Sequence, residues 1–367
     1  MTAPHRSPRR LLAAVAVLAA LALVAACSGD DSASSGTSTT STTSGSGTSA
    51  PDRIEPVPSA GCAAAASNAS GSNAGVTNAG VTDERRTLDV EGVERWYLLT
   101  TPPAGTGNDP MPLLLDFHGL AEGAEIHSLM SGFGAIAQRE GFVLAQPNGT
   151  GSPVRWEATP EDNPDLRFVD RLIDELGSVL CLDLTRVYST GLSMGAMFTS
   201  ALACARADRI AAIAPVAGVL YQDGCDPDRP MPVLAIHGTA DPIVRFNGGI
   251  GDLGGVLDGS ADASSVSLPP ADIDGPGHPE AVRRWAEHDG CSPTPVDSEP
   301  VPDVVLRSYD CPPDAPVEFY VVEGGGHSWP GSEFSKGIAS IVGPTNMDLL
   351  ASERIWEFLS AQRRALD

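Results

Sequence analysis

The chain has 367 residues, 42% of them hydrophobic, which allows one large folded domain or two small ones with an ordinary globular core. Its 23 Lys and Arg stand against 47 Asp and Glu, a net charge of −24 at pH 7, and Lys336 is its single lysine. A surface of that sign repels nucleic acid and anionic lipid headgroups, so neither is an expected partner.

Residues 1–26 carry a basic start, Arg6, Arg9 and Arg10, and then an unbroken apolar run over 11–26. That is the pattern of an export signal, and the run is short for a membrane-spanning helix. It ends in Val24-Ala25-Ala26-Cys27. Small residues ahead of a cysteine resemble a bacterial lipobox, so Cys27 is the expected lipidation site and new N-terminus; a plain secretory peptide cut elsewhere is the alternative. Loss of the leader with its three arginines leaves 20 basic against 47 acidic residues, a net of −27. Residues 28–60 are mainly Ser, Thr, Gly and Asp, with little to bury, and read as a flexible tether. The near-duplicate Asn73-Ala-Gly-Val-Thr77 and Asn78-Ala-Gly-Val-Thr82 is too short for a structural repeat and reads as loop. The expected organisation is a signal peptide over 1–26, a lipidated cysteine with tether and loop over 27–82, and a folded domain over 83–367. The expected location is extracellular, held to the cell membrane by the lipid.

Setting Cys27 aside leaves six cysteines, an even number in an exported chain, so up to three disulfides are expected. Cys291 and Cys311 flank a short Pro-rich excursion and are the expected pair; the pairing of Cys62, Cys181, Cys204 and Cys225 stays open. There is no C-x-x-C and no His/Cys cluster at zinc spacing, so neither a metal nor a cofactor is expected.

Residues 86–100 alternate as a hairpin turning at Glu91-Gly92. Residues 112–117 are an apolar run, as in a strand buried on both faces. A helix is expected over 125–139 and a buried strand over 142–145. Residues 166–180 repeat apolar side chains at helical spacing: Phe168, Val169, Leu172, Ile173, Leu176 and Leu180. A strand over 186–190 runs into a helix starting near Met194. Strands are expected over 210–216 and 231–236, a helix over 279–288, strands over 304–308 and 317–322, and a closing amphipathic helix over 349–364. Strands alternating with helices imply an α/β fold. Its sheet should be mostly parallel, with helices on both faces and an antiparallel N-terminal hairpin at one edge. Ligands in such sheets sit at the carboxyl ends of the strands.

Gly191-Leu-Ser-Met-Gly195 matches G-x-S-x-G, the sole match in the chain, and lies between a strand and a helix. There the serine occupies a tight turn, and side chains at the flanking glycines would collide with neighbouring backbone. Two further strand ends carry His237-Gly-Thr-Ala-Asp241 and Glu323-Gly-Gly-Gly-His327. Ser193, Asp241 and His327 therefore follow three different strands in the chain order Ser, Asp, His. Ser193 is the expected nucleophile, His327 its base, and Asp241 the group that orients the imidazole. His237 reads as structural. Two oxyanion N–H donors are needed: Met194, after the nucleophile, and Leu120 or Gly119 in the loop after an earlier strand. His118 is expected to orient that loop. Trp156 and Trp329 fall in strand-end loops and are expected to line the substrate pocket, with core packing as the competing reading.

His118-Gly119, Gly191-Leu-Ser-Met-Gly195, Ala211-Ala-Ile-Ala-Pro-Val-Ala-Gly218, His237-Gly-Thr-Ala-Asp-Pro242 and Gly324-Gly-Gly-His-Ser-Trp-Pro-Gly331 together resemble the feruloyl esterase and polyhydroxybutyrate depolymerase family of secreted serine esterases. The resemblance covers residues 86–364. It implies an α/β-hydrolase fold and catalytic Ser193, Asp241 and His327. Where relatives often show two glycines, this chain has Gly195-Ala196, a methyl group packed under the turn. Residues 246–276 form a long Gly- and Asp-rich connection that could overhang the pocket. The expected activity is hydrolysis of small, carbohydrate-linked or oligomeric esters, feruloyl-esterase-like first and hydroxybutyrate-oligomer depolymerase second. A non-catalytic binding lipoprotein on the same fold is the reading from another class.

Overall fold

The computed structural model describes residues 54–63, 84–103, 109–251, 263 and 266–365. The expected leader, the lipidation site Cys27 and the tether up to residue 53 lie outside the described residues. No described helix is long and apolar enough to cross a membrane.

Among the described residues, ten strands form one sheet: β1 (Glu84–Val90), β2 (Val93–Thr100), β3 (Met111–Phe117), β4 (Val143–Pro147), β5 (Leu182–Leu192), β6 (Ala212–Val216), β7 (Val233–Gly238), β8 (Val296–Val301), β9 (Val304–Ser308) and β10 (Val317–Val322). Their order across the sheet is β1-β2-β4-β3-β5-β6-β7-β10-β9-β8. From β4 to β10 the neighbours run parallel. Both edges are antiparallel: β1-β2 against β4 on one side, β9-β8 against β10 on the other. The second antiparallel edge was not expected. β8, Val-Asp-Ser-Glu-Pro-Val, is almost wholly exposed, so it shows no buried apolar alternation to read.

Adjacent side chains of β3 enter opposite cores, as the two-residue period of a strand requires. Leu113, Leu115 and Phe117 join one cluster and Leu114 the other. The first cluster is covered by α3 (Pro164–Val179), α4 (Met194–Ala205) and α5 (His278–His288), and the second by α1 (Ala124–Ser131), α2 (Phe133–Glu140) and α8 (Ala351–Ser360). Two short helices, α6 (Glu333–Gly337) and α7 (Ala339–Val342), follow β10. The single helix expected over 125–139 is two, because Gly132 at φ 64 ends α1 in the left-handed conformation. Helix α3 starts where its sequence signals: the Asn163 side chain caps the amides of Asp165 and Leu166, with Pro164 in the first turn.

Residues 54–63, expected as tether and loop, instead join the folded body beside the start of β5. Ser59 N–H donates to Leu182 O at 2.8 Å, Leu184 N–H donates to Val57 O at 2.9 Å, and Cys62 is disulfide-bonded to Cys181. The cysteine explains the difference, because a disulfide at residue 62 fixes the chain around it. Cys204–Cys225 and Cys291–Cys311 form the other two bridges.

The Cys62–Cys181 bridge spans 119 residues of sequence. A loop of that size restricts the unfolded chain strongly, so the double variant Cys62→Ala/Cys181→Ala should lose about 4–5 kcal/mol of unfolding free energy in urea titration. A loss under about 1 kcal/mol would mean that hydrogen bonds alone hold this segment.

Candidate active site

Strand β5 runs directly into α4, and Ser193 is the hinge between them, at φ 57 and ψ −118. A non-glycine residue held there is strained, and such strain persists only where the surroundings fix it. They do so from several directions. Ser193 N–H donates to Val216 O of β6 at 2.9 Å, and Met197 N–H donates back to Ser193 O at 3.0 Å. Beneath the turn lies the Phe117 carbonyl: a Cβ on Gly191 would stand 2.5 Å from it and one on Gly195 2.0 Å. Neither glycine tolerates a side chain, the collision expected from the motif.

Asp241 follows β7 and is buried. One oxygen, Oδ1, accepts the amides of Ile243 and Val244, both at 2.8 Å. The other, Oδ2, accepts His327 Nδ1 at 2.7 Å. His237 Nε2 lies 3.3 Å from the same oxygen and donates to Val244 O at 2.8 Å. Burial would raise the Asp241 carboxyl. The His327 charge and the hydrogen bonds from His237 and His327 outweigh it and hold the group below the usual carboxylate range. His327 follows β10, which pairs with β7 in parallel register. Close contact between the two loops depends on Gly238, whose absent side chain would meet Gly325 O at 2.2 Å. Ser193, Asp241 and His327 thus all lie past the carboxyl ends of parallel strands β5, β7 and β10, with β6 between.

The loop after β3 approaches the serine from the other side. A Cβ on Gly119 would lie 3.4 Å from Ser193 Cβ. His118, fully buried, accepts Gly149 N–H on Nε2 at 2.9 Å, so Nδ1 carries the proton and donates to Gly119 O at 2.7 Å. Burial dominates its titration and pushes it down to about 4. The imidazole is therefore a neutral brace for this loop. Gly119 N–H is engaged, donating to Glu122 Oε2 at 2.6 Å. Leu120 N–H has no acceptor among the described residues, and Met194 is the first residue of α4.

No protein-family profile matches the chain. Feruloyl esterase B of Piromyces equi is 30% identical over 243 residues, covering 64% of this chain and 42% of that protein. NocK of Nocardia uniformis subsp. tsuyamanensis, a protein named as an esterase, is 31% identical over 297 residues, covering 75% of this chain and 81% of its own length. The chain belongs to the same esterase family as NocK. It spans under half the length of the Piromyces protein. Among solved structures, an acetyl xylan esterase from Aspergillus awamori overlays 67% of this chain and 94% of its own, with a TM-score of 0.48 and 14% identity.

The two tryptophans expected at the pocket are both buried in the cores. Trp156 is 3% exposed, stacked on Phe198 at 5.2 Å and edge-on to Phe117. Its Nε1–H donates to His118 O at 2.9 Å, so it is the floor of the Gly119 loop. Trp329 is 1% exposed in the opposite core, donating Nε1–H to Ser352 Oγ. Both sit in strand-end loops as expected, but their rings turn inward, where a large indole gains most from burial.

A buried polar chain behind the Gly119 loop was missed. Glu122 Oε1 lies 3.3 Å from His127 Nδ1, and His127 Nε2 lies 2.7 Å from Asp116 Oδ1. Asp116 Oδ2 accepts Ser131 Oγ–H at 2.7 Å and Gln146 Nε2–H at 2.9 Å. Burial disfavours charge on His127, but the carboxylates of Asp116 and Glu122 overcome it and push the imidazole up to about 10. A signal was available: Asp116 interrupts the apolar strand Leu113-Leu-Leu-Asp-Phe117, and an acid there needs a partner.

His127 therefore holds a proton between about 6.5, its unfolded value, and 10, where the unfolded chain has released it. That stabilising contribution is complete below 6.5 and lost as pH climbs toward 10. His118 acts on the acid side: its folded value of about 4 is below 6.5, so stability falls as pH drops through that interval. Unfolding free energy should decline on both sides of neutrality, and His127→Gln should flatten the alkaline slope alone. Urea titrations at several pH values measure this. An unchanged alkaline slope in the variant would rule out the charged imidazole.

Proposed function

We propose that this protein is a secreted, lipid-anchored serine esterase that works through an acyl-enzyme. Ser193 Oγ attacks the ester carbonyl carbon while His327 Nε2 takes its proton. Asp241 keeps the His327 Nδ1 proton in place and stabilises the imidazolium. Negative charge on the carbonyl oxygen is met by the N–H groups of Met194 and Leu120, backed by the N-terminus of α4. The C–O bond to the alcohol breaks, and His327 returns the proton to the leaving oxygen. Water, deprotonated by His327, then releases the acid and restores Ser193. The observation that carries this reading is the strained Ser193 turn, set past the strand ends in company with the hydrogen-bonded Asp241–His327 pair.

The substrate class proposed is a small or carbohydrate-linked ester, feruloyl-like. Its support is the name of the Piromyces relative and not aromatic stacking, since Trp156 and Trp329 are buried. Three disulfides favour an oxidising, extracellular compartment. The basic start, the apolar run and Ala25-Ala26-Cys27 support lipidation at Cys27.

Ser193→Ala should lower ester hydrolysis by about 10⁴ to 10⁶ with an unchanged circular dichroism spectrum. A fluorophosphonate should label wild type at Ser193 and leave the variant unlabelled; labelling elsewhere defeats the assignment. Methyl ferulate, a short-chain nitrophenyl ester and a hydroxybutyrate oligomer should be compared by kcat/KM. A tenfold preference for the oligomer would make the protein a depolymerase.

Mass spectrometry of the exported wild-type chain should find a diacylglyceryl-modified Cys27 at the N-terminus. Cys27→Ser should abolish the lipid and the partition into detergent. An unmodified N-terminus elsewhere in the wild type would remove the anchor from the proposal.

A further inference from the structure

The loop after β3 passes beside Ser193 and carries two candidate oxyanion donors, Gly119 N–H and Leu120 N–H. Glu122 distinguishes the two locally. Its Oε2 accepts Gly119 N–H at 2.6 Å, which withdraws this donor. The glutamate side chain is only 10% exposed, so its own position is set by what lies behind it. Behind it is His127, fully buried between Glu122 and Asp116. His127 faces Asp116 from β3, Glu122 from the loop, and the indole of Trp329, T-shaped at 5.6 Å, from the loop that carries His327. His118, the other titratable group near it, is the neutral brace of the same loop.

There is an electrostatic reason for this arrangement. A lone carboxylate one short loop away from a developing oxyanion would repel the charge that the reaction creates. An imidazolium locked between Glu122 and Asp116 cancels one of the two negative charges and ties Glu122 back from the site. The contacts also close into a ring. Trp329 donates to Ser352, Ser352 donates to Ser131 O, and Ser131 donates to Asp116, which holds His127. The loop bearing the donor and the loop bearing His327 thus share one support.

We propose that Glu122 and His127 are positioning residues for the oxyanion site: Glu122 sequesters Gly119 N–H so that Leu120 N–H is the donor, and His127 fixes and neutralises Glu122. The inference rests on the esterase reading of Ser193.

The test is kcat and KM on a short-chain nitrophenyl ester for wild type, Ser193→Ala, Glu122→Ala, Glu122→Gln and His127→Gln, with thermal melts to confirm folding at the assay temperature. Removing an oxyanion donor costs about 10²–10³ in kcat, so loosening one should cost Glu122→Ala about 10- to 100-fold, with KM within threefold of wild type. Glu122→Gln retains a carbonyl oxygen to accept Gly119 N–H and should recover kcat to within about threefold of wild type. His127→Gln should resemble Glu122→Ala. A residue that only supports the fold would lower the melting temperature and leave this kcat–KM split and the glutamine rescue unseen. If Glu122→Ala keeps kcat within threefold of active wild type, or Glu122→Gln is as impaired as Glu122→Ala, the proposal is overturned. The Glu122 variants decide it even if His127→Gln fails to fold. Wild type inactive on every ester would instead overturn the esterase reading, and this inference with it.

Discussion

The site depends on one backbone constraint: Ser193 must hold a positive φ at the point where β5 becomes α4. A conformation of that kind costs about 1–3 kcal/mol and has to be enforced by its neighbours. Here the Phe117 carbonyl fills the space under the turn, β6 grips the Ser193 amide, and Gly218 is so close that a Cβ would sit 2.5 Å from Ser193 O. The Phe117 ring extends the same clamp into the core, edge-on to Trp156 at 5.2 Å and to Phe198 of α4 at 5.0 Å. One residue of β3 therefore presses on the turn with its backbone and braces the following helix with its side chain. The loop that continues from Phe117 inherits that placement, which is why its glycine ends beside the serine.

Buried histidines around the site differ in charge because their partners differ. His118 lies between an amide and a carbonyl and is driven neutral, to about 4. His278, against Val219 O and stacked on His237 at 4.0 Å, is pushed by burial down to about 3. His127 meets two carboxylates and is driven the other way. Desolvation penalises charge at all three positions, so what decides each case is whether an anion is close enough to outweigh it.

Much of this was legible in the sequence, and the exceptions have physical causes. The parallel centre of the sheet could be read because βαβ strands buried on both faces leave continuous apolar runs, as in Leu113-Leu-Leu and Ala211-Ala-Ile-Ala. The helix α3 carried both its cap and its periodicity. Edge strand β8 left no such record, since a solvent-facing strand needs no apolar side chains. Strand-end loops were found from Gly-rich spacing, which places Ser193, Asp241 and His327 past three strands. Sequence position could not say which way a side chain turns. Trp156 and Trp329 sit in those loops and yet face two opposite cores. Nor could it reveal Asp116, Glu122 and His127 as a group, because the contact joins a strand, a turn and a helix whose relative placement exists only in the fold.

The attachment of residues 54–63 gives the domain a direction. Cys62 is bonded to Cys181, immediately before β5, and Ser193 stands immediately after it. Strand β5 has 11 residues, which at about 3.3 Å each separate the two points by roughly 36 Å. The chain preceding Cys62 therefore meets the folded body at the amino end of the strands, and the candidate site opens at the carboxyl end. At that end the segment is held by the Cys62–Cys181 bridge and the hydrogen bonds of Val57 and Ser59. None of these touches the Ser193 turn.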